Sequence, residues 1–584
     1  MLALWLLACV GGRSTPATPP PDPAPVEAEA SDAPPAASHG VMRFETIVSP
    51  AGADRLTAPV STKKVHVDGR EVAIDYTVLR RTGDDGFGTV LDEHGEPLEA
   101  LCNEQDFNAL LEVGGTPYLV SHLECTPGGM TVTELAQSSE GALSVVASRP
   151  VDWAPVGGLW NPCAGQVTPW NTHLASEEYE PDGRRVPTPK DGWPYKAWSR
   201  MEAYQDAPLV PWRFGWTPEV RIADDGAVSV TKYLSPGRFS HEIAYVLPDR
   251  RTVYLSDDGY AVGWFLFVAD APGDLSAGTL YAAKLSVADR TGGGVMPIQW
   301  VSLGHATDGQ IQPLIDANVP FSALFDAQDP GPGDTCPETH RFVRHAYGEE
   351  CLALAEPSEA VADPALAASR LETRRYAAWL GATTELVKGE GVAYDPIEGQ
   401  VFVALSSIKA TMTDGKGHVD LDPEPCGGVY GGKVAAGQAD ADGAAIPSDF
   451  VMTELRPVVM GRSEGKRCAD DGIANPDNIT YLPGYGKLVI AEDTAKHDNA
   501  YLWSYDMHRG ELERLMVAPP FGELTGVHWI PDIGGFGYLT VAVQHPWSEG
   551  IDGGLPDGIT EADTRTFTGV LGPFPSLTAG MQAQ

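Results

Sequence analysis

Positive charge is what this sequence has least of. It carries 40 lysines and arginines against 80 aspartates and glutamates, a formal charge of -40 over 584 residues. That balance excludes nucleic acid as a partner, because a phosphate backbone needs basic surface. It also disfavours an anionic substrate, unless bound cations reverse the sign locally. No apolar run is long enough to span a bilayer. No phosphate-binding Walker loop, GxSxG elbow, HExxH helix or CxxC pair is present, which removes the common signatures of nucleotide, serine-hydrolase, zinc-protease and dithiol chemistry.

What is present begins with an export pattern. The first nine residues, MLALWLLAC, are apolar, and LLAC (Leu6 to Cys9) resembles a bacterial lipobox, in which Cys9 receives lipid. The basic n-region of a signal peptide is missing, and a shortened ordinary signal peptide is the alternative. Either exports the chain, to the periplasm or to the cell surface. Residues 1–9 read as the signal segment. Residues 10–40 are rich in Pro and Ala and read as an extended tether that buries no core. Residues 41–584 read as one domain. Of eight cysteines, Cys9 goes to lipid and Cys163 to a metal, leaving six for three disulfides. Six cysteines allow about 15 connectivities. The nearest-neighbour one is Cys102–Cys125, Cys336–Cys351 and Cys426–Cys468, and such bonds persist in an oxidising compartment.

A hairpin pattern recurs along the chain. EIAYVLP from Glu242, EGVAYDP from Glu390, DNITYLP from Asp477 and TGVHWIP from Thr525 are apolar runs closed by a proline turn. The second strands end at Asp257-Asp258, Ser406-Ser407, Glu492-Asp493 and Gln544-His545. A looser copy runs from Cys163 through Pro169 to Glu177-Glu178. A hairpin returns to where it began. The five copies therefore gather Cys163, Glu177, Glu178, Glu242, Glu390, Asp477, Glu492, Asp493 and His545 at one end. That is one soft ligand among hard ones, which suits a transition metal beside calcium. Pro483 and Pro531 stand 48 residues apart, and the other turn prolines lie near multiples of that step. A period of about 40–50 residues of short strands predicts an all-β propeller; a large β-sandwich is the alternative. A helix is predicted from Asp363-Pro364 to Leu380, closed by Gly381, where it can brace the site.

At these residues the chain resembles the PhoX-type bacterial alkaline phosphatases. The matching stretches are NPCAGQVTPWNT…SEE (161 to 178), GRFSHEIAYV (237 to 246), SAGTLYAAKL (276 to 285), GAT…KGEGVAYDP (381 to 396), NPDNI (475 to 479), AEDT (491 to 494) and VQHP (543 to 546). The resemblance spans about residues 150 to 550. It implies a six-bladed β-propeller with helical and loop insertions. It also implies two ferric ions, three calcium ions and a bridging oxo group, and hydrolysis of small phosphomonoesters and some diesters outside the cytoplasm. By position, Cys163 would be the iron thiolate, Glu242, Glu390 and Asp493 shared metal ligands, and Glu177 and Glu178 calcium ligands. Lys388, Asn478 and His545 are the catalytic candidates, and a monomer is expected. In three places the chain departs from the family pattern. Lys388-Gly389-Glu390 replaces ArgProGlu, which keeps the charge and loses the bidentate fork. AlaSer stands before Glu177 in place of ThrCys. The lipobox replaces the twin-arginine leader that exports many members folded. The alternatives are a non-catalytic calcium-binding propeller lipoprotein that binds a ligand or partner, and a calcium-dependent propeller lactonase.

Overall fold

The computed structural model describes residues 40–56, 60–185, 193–206, 208–547 and 554–577. Cys9 and the Pro/Ala-rich tether lie outside the described residues. Residues 39–584 form one compact unit.

The fold is a six-bladed β-propeller. Blade 1 is Gln105–Val113, Thr116–Leu123, Gly129–Gln137 and Leu143–Pro150. Blade 2 runs from Pro162–Val167 to Val228–Tyr233. Blade 3 opens with His241–Val246 and ends with the long strands Asp274–Leu285 and Met296–Thr307. Blade 4 opens with Gly389–Asp395 and blade 5 with Pro476–Leu482. Blade 6 is Glu523–Ile533, Phe536–Gln544, Phe567–Pro575 and, from the other end of the chain, Asp75–Arg81. That last pairing closes the ring by hydrogen bonds between early and late chain, which removes an open sheet edge. The six opening strands pack side by side around a central channel. The outer strands of blades 3 and 4 also join, at Met296 and Leu455.

Each opening hairpin alternates its apolar residues between two inter-blade layers, so neighbouring blades share a continuous core. Val253, Leu255, Phe265 and Phe267 face one layer, and Tyr254, Trp264, Leu266 and Val268 the other. All three disulfides are the nearest-neighbour pairs. Cys163 is free and buried.

The predicted helix is two helices, Pro364–Leu371 and Thr373–Leu380, broken at Glu372, which has φ -130° and ψ 52°. The Asp363 carboxylate accepts from the Leu366 N–H as the N-cap, and Gly381 closes the second helix at φ +86°. The break lets the Glu372 carboxylate meet Arg375 Nη1 at 2.6 Å.

Candidate metal centre

One device repeats in all six blades. Every opening strand carries an extra residue against its partner near its channel end, at Asp106-Phe107, Cys163-Ala164, Glu242-Ile243, Glu390-Gly391, Asp477-Asn478 and Gly526-Val527. A bulge of this kind bends the strand and re-aims a side chain. The first bulge residue is therefore an aspartate, the cysteine, two glutamates, an aspartate and a glycine. Gly526 has φ +64°, and a Cβ there would lie 2.7 Å from the Asp106 carbonyl oxygen. Five blades send a ligand into the channel end, and the sixth makes room.

A second ring comes from the residue after each second strand: Glu124, Glu178, Asp258, Ser406, Asp493 and His545. The two rings interlock as overlapping triads whose ligand atoms lie within 4.8 Å of one another. These are Asp106, Glu124 and Cys163; Cys163, Glu178 and Glu242; Glu242, Glu390 and Asp477; and Asp477, Asp493 and Glu523. Of the expected site residues, the structure joins Cys163, Glu178, Glu242, Glu390 and Asp493 in this cluster. It adds Asp106, Glu124 and Glu523, and Asp477 from the wider hairpin inventory.

Glu177 is placed differently from Glu178. Its carboxylate accepts from the backbone N–H groups of Trp160, Gly215 and Trp216 at 2.9–3.0 Å and from Lys232 Nζ at 2.7 Å. Those four donors use both of its oxygens, so it ties the strand end to its neighbours and stands outside the carboxylate triads. Glu492 does the same in blade 5, engaged by the N–H groups of Ala474 and Tyr501, Trp503 Nε1 and His497. Asp257 is held by Arg374 and the Gly263 N–H. In each acidic pair the first residue braces the fold and the second turns to the channel, as strand alternation requires.

Asn478, a catalytic candidate, lies among the carboxylates. Its Nδ2 donates to Asp477 Oδ1 at 2.7 Å and reaches Glu242 Oε1 at 3.4 Å. Its Oδ1 accepts from the Gly526 N–H and from Thr525 Oγ1. It is buried behind the carboxylates and positions them. Lys388, at φ +50°, places Nζ 2.9 Å from Glu390 Oε1 and 3.8 Å from Asp493 Oδ2 with its side chain 24% exposed. His545 stands at the rim with Nδ1 3.0 Å from Glu104 Oε2.

The electrostatics demand cations. Burial first, then neighbouring carboxylates, push Glu178, Glu242, Asp477 and Glu523 well above the ordinary range. Glu124 and Glu390 are pushed up to about 8. The Cys163 thiol, which donates to Glu242 Oε2 at 3.0 Å, is raised by burial and by Asp106, Glu242, Glu178 and Glu124. Burial disfavours the Lys388 charge, but Asp258, Glu390 and Asp493 more than reverse this. Asp106 Oδ2 and Asp258 Oδ1 are buried without a hydrogen-bond partner. Buried charge at this density is costly unless it is paired or coordinates metal. The donor set fits the implied ions: a thiolate for a transition metal and carboxylates for calcium.

The family model for alkaline phosphatase PhoX matches residues 129–547. The chain belongs to the PhoX family. It is accordingly a metal-dependent hydrolase of phosphoric esters, of the alkaline phosphatase type. Among solved structures, Pseudomonas fluorescens PhoX in complex with vanadate, a transition state analogue, is 18% identical, with TM-score 0.58 over 92% of this chain and 98% of that one. A putative 6-phosphogluconolactonase from Bacteroides uniformis is 11% identical, with TM-score 0.29 over 83% of this chain and 98% of that one. No curated protein matches.

Two features hide the remaining ligands from the hairpin pattern. The blade 1 hairpin turns at Gly114-Gly115, with no proline in the turn, so its carboxylates Asp106 and Glu124 carried no turn signal. Glu523 stands two residues ahead of Thr525, where the blade 6 motif was read.

Proposed function

We propose that this chain is an exported phosphomonoesterase whose PhoX activity runs on a mixed iron and calcium centre. The six-fold bulge array carries this reading, since it converges one thiol and a run of carboxylates on a site with a single ammonium. Cys163 with Glu242 would hold iron. Glu178, Glu390, Asp477 and Asp493 would share iron and calcium, and Asp106, Glu124 and Glu523 would complete the set. The bound cations would supply Lewis acidity to the phosphoryl group and to the attacking and departing oxygens.

The chain's own residues do the rest. Lys388 Nζ, held charged, meets the substrate's anionic oxygen and marks where the phosphate enters. Asn478 fixes Glu242 and Asp477 through its amide, and its carbonyl oxygen is fixed in turn by Gly526 and Thr525. His545 is raised above its ordinary value; burial opposes this, and Glu104 and Glu124 prevail. Its Nδ1 is engaged by Glu104, which leaves Nε2 for a hydrogen bond at the rim. Export is supported by the three disulfides, which persist in oxidising compartments. A lipid on Cys9 would hold the protein at a membrane surface.

The test is hydrolysis of p-nitrophenyl phosphate at alkaline pH with calcium, before and after chelation, with metal analysis for iron. Activity should vanish with chelator and return with calcium. Cys163→Ala and Glu390→Ala should each lower kcat on the order of 100-fold. Activity undiminished by thorough chelation would end the reading.

A further inference from the structure

A cavity of about 510 Å³ opens beside the metal-binding end, between blades 2 and 3. Its walls are aromatic: Trp160, Tyr179, Trp198, Tyr260 and Tyr347, with Asp258 on the side toward the carboxylate cluster. We propose that this cavity receives the alcohol part of the phosphate ester and selects flat aromatic groups over short aliphatic ones. The proposal rests on the phosphatase reading and deepens it.

Position is the first support. The Tyr179 hydroxyl donates to Asp258 Oδ2, so its ring is fixed at the edge of the cluster. Tyr260 pairs with Val387 across a short two-stranded ladder, and the Lys388 N–H donates to the Gly259 carbonyl at 2.7 Å. The loop that carries Tyr260 is therefore fastened to the residue that meets the phosphate. A phosphate held by Lys388 would therefore lie next to the loop that carries Tyr260.

Exposure is the second. Tyr260 is 51% exposed and Tyr179 is 38% exposed, in a protein whose other large rings are mostly buried. Tyr179 has φ +50°, an uncommon conformation for a bulky residue and one that structures retain where a side chain is held for use. Exposed rings around a concavity are the usual lining of a small-molecule site.

Charge is the third. Arg374 is committed to Asp257 and Glu180, and Arg185 stands 3.6 Å from Asp329. The lining carboxylates Glu180, Asp182 and Asp258 offset the lining arginines, so the cavity offers no surplus positive charge to a second anionic group. One face of Tyr260 is covered by Lys409 Nζ, 5.2 Å from the ring centroid. Such a cation polarises the ring without offering the cavity a phosphate site. What fits is an uncharged ring, stacked or edge-on against the tyrosines.

Binding of non-hydrolysable phosphonates separates this from leaving-group reactivity. Inhibition constants for phenylphosphonate and methylphosphonate should differ about tenfold in favour of phenyl. The ratio should collapse toward one in Tyr260→Ala and fall partway in Trp198→Ala, with the calcium-dependent melting temperature unchanged. Equal inhibition by the two phosphonates, in an enzyme that hydrolyses p-nitrophenyl phosphate, overturns the subsite and leaves the phosphatase reading standing. A phenyl preference that survives Tyr260→Ala and Trp198→Ala also overturns it. Absence of any hydrolysis by the metal-loaded protein overturns the phosphatase reading and this inference with it.

Discussion

Around Arg374 and Arg375, the buried carboxylates of Glu180, Asp257, Glu350 and Glu372 and the part-buried one of Asp182 each touch a guanidinium, at 2.6–2.9 Å. From Asp106 round to Glu523, nine carboxylates and a thiol share one ammonium, Lys388. Both regions are buried and both are acidic. In the first, Glu350 ends far below the ordinary range: burial pushes it up, and hydrogen bonds from His345 and Arg375 more than reverse that. Asp257, strongly desolvated, rises only to about 6 beside Arg374. In the second, Glu124 and Glu390 reach about 8, and burial with neighbouring carboxylates pushes Glu242 well above its ordinary value. Each carboxylate of the guanidinium knot has a protein cation beside it. The channel cluster is complete only with cations, and this distinguishes a structural charge network from a metal site built of similar residues.

The strongest way to break the comparison is Arg375→Ala. It strips Glu350, Glu372 and Asp182 of a fully buried partner, and unpairing a buried charge costs about 3–5 kcal/mol. The loss should appear in denaturant melts equally with and without calcium. A loss that calcium repairs would make the knot part of the metal site.

A pH series on metal-free protein sharpens the same contrast at smaller scale. Glu390 ordinarily titrates near 4.5 and in the fold near 8. Between those values the folded state keeps a proton that the unfolded state has released, so the folded state binds more protons. Stability of the metal-free form should therefore fall as pH rises from about 4.5 to about 8. Calcium should flatten that slope. Melting temperature against pH, with chelator and with calcium, reads it; identical profiles would mean that the cluster is compensated without metal.

How much of this was legible in the sequence follows from particular residues. Pro248, Pro396, Pro483 and Pro531 mark the turns of blades 3 to 6, so Glu242, Glu390 and Asp493 could be placed at one end of the channel. Blade 1 turns on glycines and stayed hidden, with Asp106 and Glu124. A bulge is one residue of register, invisible without the partner strand; hence Glu177 was read with Glu178, though only the latter turns inward. The arginine pair lies in a helix read as one brace. Its hydrogen bonds reach residues as far away as Asp182 and Glu180, and no local spacing announces them.

The smallest expected effect falls on the one cation of the cluster. Lys388 presents a single ammonium to Glu390 and to any bound phosphate, and a guanidinium would present a planar fork. In Lys388→Arg the fork can keep one N–H on Glu390 and aim another pair at phosphate oxygens. Inhibition by inorganic phosphate should tighten about two- to fivefold, with KM for p-nitrophenyl phosphate falling in parallel. Lys388→Met should move both the other way, because the site would then hold no positive side chain of its own. If both variants leave phosphate binding unchanged, Lys388 serves only to neutralise Glu390 and Asp493. The channel cluster would then resemble the arginine knot at that one point, and the anion would be held without protein charge.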